Sequence, residues 1–230
     1  MRLDVYVAKL QTISRDSAIE LIKKGGVKID NKVQNKPSYQ LKSDETIVVE
    51  ESMLSPYVSR AGLKLEQALQ EFNINPKGLI CLDIGSSTGG FTDCLLKHGA
   101  KHVTCVDVGT NQLHPTLINH KKIKLHEQTD FREYVKVEQL QKFDLITIDV
   151  SFISSEAILK HIYKLTHEAT KVILLYKPQY ELGHEPLISK QNGYKFGLKI
   201  EKMAKTKQKG KKGTQEFLLY FHTVKNFDNT

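Results

Sequence analysis

An acidic residue stands on either side of a glycine-rich turn in this chain. The apolar run Leu79–Leu82 reads as a strand. It leads into Asp83-Ile84-Gly85-Ser86-Ser87-Thr88-Gly89-Gly90-Phe91 and then a helical stretch. Glycines at a strand-to-helix turn let the backbone approach a ligand closely. The next apolar run ends at Asp107, near the spacing of about 20 residues at which an acid binds ribose hydroxyls. Asp83 would be unwelcome beside a dinucleotide's pyrophosphate but tolerable beside a cationic ligand. An acid before the loop and another after the second strand suit S-adenosylmethionine, with its sulfonium, amino-acid end and ribose. The loop lacks the Gly-Lys-[Ser/Thr] ending of a P-loop. A plainer reading makes the glycines turn residues and Asp107 a helix cap. The order strand, loop, helix, strand, acid favours the cofactor site.

The elements that must position such a site alternate along the chain from Lys77 onward. Strand candidates are 79–84, 102–107, 122–126, 144–149 and 171–176, with helical stretches near 89–98, 112–118 and 154–166. Alternation of this kind implies βαβ crossovers and a mostly parallel sheet covered on both faces, an α/β Rossmann-like fold. Glu216–Phe221 reads as a final strand. Ahead of this region, residues 1–52 read as a small α/β unit. Ser14 is placed to cap a helix running to Lys24, with Ala18, Ile19 and Ile22 on one face and Gly25 just past its end. Val27–Ile29 alternates, Asp30-Asn31 marks a turn, and Ile47–Val49 forms a last short strand. Ser55-Pro56 reads as a linker, which divides the chain into 1–54 and 55–230. Ser59 is expected to cap a helix with Leu65, Ala68, Leu69 and Phe72 on one face, ended by Asn75-Pro76.

Composition narrows the function. With 40% hydrophobic residues a sizeable core is available, and the absence of Trp argues against a Trp-lined carbohydrate cleft. The longest apolar stretches, Leu145–Ile153 and Val172–Tyr176, have strand length, far short of the ~18 residues that span a bilayer. The opening Met1-Arg2-Leu3-Asp4-Val5 lacks the apolar core of a signal peptide. A cytoplasmic protein without membrane partners is expected. Cys81, Cys94 and Cys105 show no metal-ligand spacing. They read as small buried hydrophobes, and no metal is expected. The net charge is +8, and the stretch from Lys190 to Lys212 holds nine lysines and one acid, Glu201. That block therefore carries the whole excess. On charge alone it is equally a solvated segment or a phosphate-binding patch.

Longer motifs carry a family likeness. Tyr57-Val58-Ser59-Arg60-Ala61-Gly62-Leu63-Lys64-Leu65 resembles the opening of the TlyA, or haemolysin A-like, rRNA methyltransferases. Leu82–Leu95 resembles that family's cofactor motif. Asp144–Ser154 and Tyr176-Lys177-Pro178-Gln179-Tyr180-Glu181 are similarly close. Arg2-Leu3-Asp4 and Ser14-Arg15 are similar to the marks of an S4 RNA-binding domain. The resemblance implies an S4 domain joined to an FtsJ-like methyltransferase domain. The implied activity is methyl transfer from S-adenosylmethionine to a ribose 2′-hydroxyl of cytidine in ribosomal RNA, free or within ribosomal subunits. By motif, the family's catalytic tetrad falls on Lys64, Asp149, Lys177 and Glu216. Cofactor contacts fall on Asp83, Gly85, Ser87, Thr88, Gly89, Gly90, Phe91 and Asp107, with Asp130 and Phe131 beside the adenine. Arg2, Arg15, Lys23, Lys28, Lys32 and Arg60 are the candidate RNA contacts. They make a binding face only if the fold gathers them on one side.

The chemistry explains the residue types. A ribose hydroxyl is a poor nucleophile at neutral pH, so a base held in place must loosen its proton. Lys177 and Asp149 follow successive strand candidates, at the carboxyl ends where open α/β sheets hold ligands. A lysine among neighbouring cations and apolar walls can accept a proton. Lys64 would be such a neighbour, while Asp149 and Glu216 orient the ammonium groups. Amino-directed methyltransferases usually show Asp/Asn-Pro-Pro-Phe/Tyr after this strand, whereas this chain reads Asp149-Val150-Ser151-Phe152. Cytosine-C5 enzymes need a catalytic cysteine, and none follows Cys105.

The chain departs from the family pattern after Lys177. The interval from Pro178 to Asn192 contains Pro186 and little helical periodicity, and it is barely the dozen residues a parallel crossover needs. Gly193–Lys199 is the strand candidate there. An altered far edge motivates the alternative of a non-catalytic RNA-binding assembly factor. A membrane-lytic role, the third class, lacks any spanning segment. The lysine block leads directly into Glu216, which favours a role in holding RNA.

Overall fold

The computed structural model describes residues 1–136, 140–151, 153–181, 194–210 and 213–224. Phe152, the stretch around Pro186 and Lys190, and Lys211 and Lys212 lie outside them. The chain forms two compact units, Met1–Leu63 and Lys64–Thr230. The division lies beyond Ser55-Pro56, within helix α3 (Ala61–Phe72).

The smaller unit packs α1 (Leu3–Leu10) and α2 (Arg15–Lys23) on a three-stranded sheet of order β2-β1-β3. The strands are β1 (Val27–Ile29), β2 (Lys32–Val33) and β3 (Ile47–Val49). Ser14 caps α2 by accepting from Ser17 N at 3.1 Å. Gly25 follows the helix end at φ +83°, the left-handed conformation that spares glycine a Cβ penalty. Asp30 and Asn31 both take positive φ, as a two-residue hairpin turn requires. The core is Leu3, Val7, Ala18, Leu21, Ile22, Val27 and Ile29. The sequence reading did not anticipate α1, whose eight residues hold only Leu3 and Val7 as fully buried apolar positions.

The larger unit is a doubly covered sheet. Its strands are β4 (Ile80–Ile84), β5 (His102–Val106), β6 (Ile123–His126), β7 (Leu145–Ile148), β8 (Lys171–Tyr176), β9 (Tyr194–Lys195), β10 (Leu198–Lys205) and β11 (Phe217–Thr223). They lie in the order β6-β5-β4-β7-β8-β11-β10-β9. The first five are parallel, and β11 runs antiparallel to both neighbours. All four residues of β7 are buried, which is why its sequence carries no charged residue and its one polar side chain, Thr147, donates to Asp83. The helices are α4 (Gly90–Lys97), α5 (Pro115–Ile118), α6 (Phe131–Tyr134) and α7 (Ser155–Ile162). Ile158, Leu159 and Ile162 of α7 bury against Ile146, Ile148, Val172 and Leu174; each such side chain contributes about 1.5–3 kcal/mol by leaving water.

Three boundaries differ from expectation. Helix α3 starts at Ala61, beyond Ser59, and stops at Phe72 because Asn73 turns left-handed at φ +55°. The helix expected near 112–118 is a single turn entered through Pro115. The expected strand 193–199 is instead a hairpin. Phe196 and Gly197 both have positive φ and turn β9 into β10. The centre of the lysine block is thus an ordered strand on which Lys202 and Lys205 are exposed.

Candidate active site

Three strand ends meet at one end of the sheet. Parallel β7 and β8 pair Ile148 with Leu174, and Asp149 and Lys177 emerge from their carboxyl ends. Antiparallel β11 pairs Phe217 with Tyr176. Glu216, the residue before Phe217, therefore comes level with Lys177, the residue after Tyr176. Helix α3 supplies Lys64, whose Nζ donates to Glu216 Oε2 at 2.5 Å; the two side chains are only 13% and 5% exposed. Lys177 Nζ lies 2.6 Å from Asp149 Oδ1 and donates to Val150 O and Ser151 Oγ, both at 3.0 Å. The four expected catalytic residues thus form two largely buried ion pairs. Each charge is balanced by its partner, as burial of a charge demands.

The glycine loop abuts the same place. Gly85 sits at φ +79°, and a Cβ there would fall 2.5 Å from Asp149 O. Gly89, at φ +89°, faces Leu113 and Leu117 in the same way. Gly85 is therefore required by the adjacent Asp149 backbone, and Gly89 by its left-handed conformation. Ser87 is exposed at the loop tip, and its N donates to Asp107 Oδ2 at 2.7 Å. Gly109 N donates to Asp107 Oδ1 at 2.7 Å. Asp107 thus ties two loops together, and each oxygen keeps a second lone pair for a hydroxyl. Thr88 is half-buried beside Ser87, and Gly90 is buried as the first residue of α4. Asp130 caps α6 by accepting from Arg132 N at 2.8 Å and also pairs with the Arg132 guanidinium. That hydrogen-bonded cation holds its carboxyl below the usual range.

Three of the expected cofactor contacts have buried side chains. Asp83 is fully buried beneath the loop, where its oxygens accept from Thr92 Oγ1 at 2.6 Å and Thr147 Oγ1 at 3.0 Å. It braces the loop and has no face for a ligand. Burial pushes its pKa up to about 7. Phe91 and Phe131 are 2% and 4% exposed. Their rings belong to the core, so only their backbone amides could meet a ligand.

In the smaller unit, Arg2 and Arg15 both clamp the fully buried Asp4 carboxylate at 2.9 Å. These hydrogen bonds lower its pKa to about 2. Arg60 lies 3.3 Å from Glu20. Lys23, Lys28 and Lys32 are exposed. Sequence reasoning missed Glu181 and Gln67. Glu181 Oε1 accepts from Ser155 N and Ser155 Oγ at 2.9 and 2.6 Å, so it caps α7. Gln67 lies one turn beyond Lys64 on α3, a spacing that could have flagged it. Among the described residues, no group of metal-ligating side chains forms a site, and no helix is long and apolar enough to cross a membrane. All three cysteines are buried.

Residues 57–227 match the FtsJ-like methyltransferase family and residues 1–47 match the S4 domain. The chain is 38% identical to the 23S rRNA (cytidine-2′-O)-methyltransferase TlyA of Campylobacter jejuni, over 98% of this chain and 100% of that protein. That alignment spans 260 positions, more than the 230 residues here, so segments of the relative have no counterpart in this chain. Hemolysin A of Brachyspira hyodysenteriae is 42% identical over 79% of this chain and 75% of its own length. A solved structure of a hemolysin from Streptococcus thermophilus superposes with a TM-score of 0.72 at 31% identity, covering 98% of this chain and 89% of that one.

Proposed function

Since the chain belongs to the TlyA family of FtsJ-like methyltransferases, we propose that it methylates a ribose 2′-hydroxyl of cytidine in ribosomal RNA. Residues 55–230 would perform the transfer, and residues 1–54 would dock the RNA as an S4 domain, in the cytoplasm where ribosomal subunits mature. When bound, S-adenosylmethionine supplies an electrophilic methyl group. The donor set suits that cofactor: Asp107 has lone pairs to spare for ribose hydroxyls, and Ser87 and Thr88 form the open tip of the loop.

Lys177 Nζ must first give up a proton to solvent; as the free amine, held by Asp149 and Ser151, it then takes the proton of the attacking hydroxyl. Lys64 adds a positive charge that favours the developing alkoxide, and Glu216 holds Lys64 in place. Alignment of oxygen, carbon and sulfur supplies most of the rate. The observation that carries this reading is the pairing of Lys64 with Glu216 and of Lys177 with Asp149 at one end of three adjacent strands, with Gly85 against Asp149. The relatives give the non-catalytic alternative no support.

The test is primer-extension mapping of 2′-O-methyl groups in ribosomal RNA from a deletion strain, beside calorimetry with S-adenosylmethionine. Loss of one or more cytidine methylations is expected. Unchanged methylation at every position would refute the reading.

A further inference from the structure

We infer that the hairpin β10–β11 is an RNA-binding arm of the methyltransferase unit, with Lys202, Lys205, Lys207 and Lys209 holding phosphates beside the Lys64–Glu216 pair. The inference rests on the RNA-methyltransferase reading and assigns a second substrate surface, apart from the S4 domain.

Strand pairing sets where the lysines project. Lys202 lies opposite Tyr220, and Lys205 opposite Phe217. Tyr220 stacks on Phe72 of α3 at 5.9 Å, whereas Phe217 packs with the core on the other side of the sheet. Exposed lysines therefore flank β10 on both faces. Strand β9 pairs only with Leu198 and Lys199, so among the described residues the outer edge is open beyond Ile200. Lysines and a bulge on an open edge serve to block strand-to-strand aggregation. That role accounts for Lys199, Lys202, Lys205 and the irregularity at Glu201. It does not account for Lys207 and Lys209, which lie beyond the strand and are exposed.

This turn is fastened to the reactive pair. Gln67 is 6% exposed; its Nε2 donates to Lys205 O at 2.8 Å, and Lys207 N donates to its Oε1 at 2.9 Å. The same helix face carries Lys64 one turn earlier. Thr206 N donates to Glu216 O at 3.0 Å. A Cβ on Gly210 would fall 2.2 Å from Glu216 Oε1, so the turn folds directly against the carboxylate that holds Lys64. The lysines are thus held in register with the candidate catalytic residues.

Their charge is also unspent. Lys202, Lys205, Lys207 and Lys209 form no ion pair with a described residue, and the one acid of the block, Glu201, lies 3.0 Å from His222 Nδ1. In the smaller unit, by contrast, Asp4 engages Arg2 and Arg15, and Glu20 engages Lys24 and Arg60. Clustered uncompensated cations next to a site for an RNA hydroxyl fit a phosphate backbone, whose neutralisation releases counterions.

The test compares full-length wild type with the variant K202Q/K205Q/K207Q/K209Q. Binding of a labelled single-stranded RNA is followed across a potassium chloride titration. Each lost phosphate contact should reduce the slope of log affinity against log salt by about 0.7, so a reduction of roughly 3 is expected, with S-adenosylmethionine affinity unchanged. An unchanged slope overturns the inference, as does equal competition by poly-glutamate. Should the fourfold variant fail to fold, K207Q/K209Q lies off the strand and should still lower the slope by about 1.4. Methylation of ribosomal RNA by the wild type is measured in parallel. Wild-type methylation with an unchanged slope sinks the arm alone, whereas a reduced slope without any methylation upholds the arm and sinks the enzymatic reading.

Discussion

Replacing Glu181 with Ala should damage both stability and methyl transfer, although Glu181 touches none of the four candidate catalytic residues through any hydrogen bond described above. The side chain is 8% exposed, and one oxygen accepts both Ser155 N and Ser155 Oγ. Ser155 opens α7 directly after the loop that begins at Asp149 and presents Val150 O and Ser151 Oγ to Lys177. Glu181 itself follows the short 3-10 turn Pro178–Tyr180 that begins after Lys177. One carboxylate therefore latches the loop of the candidate base to the loop of its acidic partner. Loss of a helix cap costs about 1 kcal/mol, and loss of a buried hydrogen bond to a charged group about 1.5–3 kcal/mol. Urea denaturation of Glu181→Ala should therefore show about 3 kcal/mol less stability. Glu181→Gln keeps a carbonyl acceptor and should lose only about 1 kcal/mol. With both loops loosened, kcat at saturating RNA and cofactor should fall roughly 10- to 100-fold in the Ala variant, with KM for the cofactor little changed and Gln restoring most of the rate. Wild-type stability and kcat in the Ala variant, or a Gln variant no better than Ala, would refute the latch.

Lys177→Ala should abolish methyl transfer while calorimetry finds cofactor affinity within a few-fold of wild type; equal loss of both would put Lys177 at the cofactor instead. Asp107→Ala removes an acceptor for ribose hydroxyls and frees the Ser87 and Gly109 amides. Its dissociation constant for S-adenosylmethionine should rise roughly ten- to a hundredfold, and an unchanged constant would make Asp107 a loop tie only. Burial raises the folded-state pKa of Asp83 from 3.8 to about 7, so the folded chain holds this proton more tightly than the unfolded one. The stability it brings is fully present below about pH 4 and drains away as pH rises to about 7, at up to about 1.4 kcal/mol per unit. Asp83→Asn, neutral throughout, should flatten urea-derived stability over that window; an unaltered pH profile would show that Asp83 is ionised in the fold.

Short-range signals in the sequence were sufficient for the parallel sheet and its punctuation. Runs without a charged residue, such as Leu145–Ile148 and Val172–Tyr176, leave little choice but buried strands. Ser14, Gly25 and Asp30-Asn31 act through their own backbone preferences, which need no distant partner. The lysines and acids at the strand ends were placed only by the resemblance of the motifs around them to a known family. Residues whose meaning depends on a distant partner were not legible. Asp83 reads as a ligand contact until Thr92 and Thr147 close over it, and Arg2 and Arg15 read as free cations until both settle on Asp4. The glycines of the loop seemed to make room for a ligand, yet Asp149, Leu113 and Leu117 occupy the space beside them. Helix α1 was too short for a periodic face, and the left-handed pair Phe196-Gly197 split an expected strand into a hairpin. Only the antiparallel register of β11 on β8 brings Glu216 level with Lys177, and Gln67 ties the lysine turn to the helix of Lys64. Such contacts join residues far apart in the chain, and their energy exists only once the sheet has closed its register.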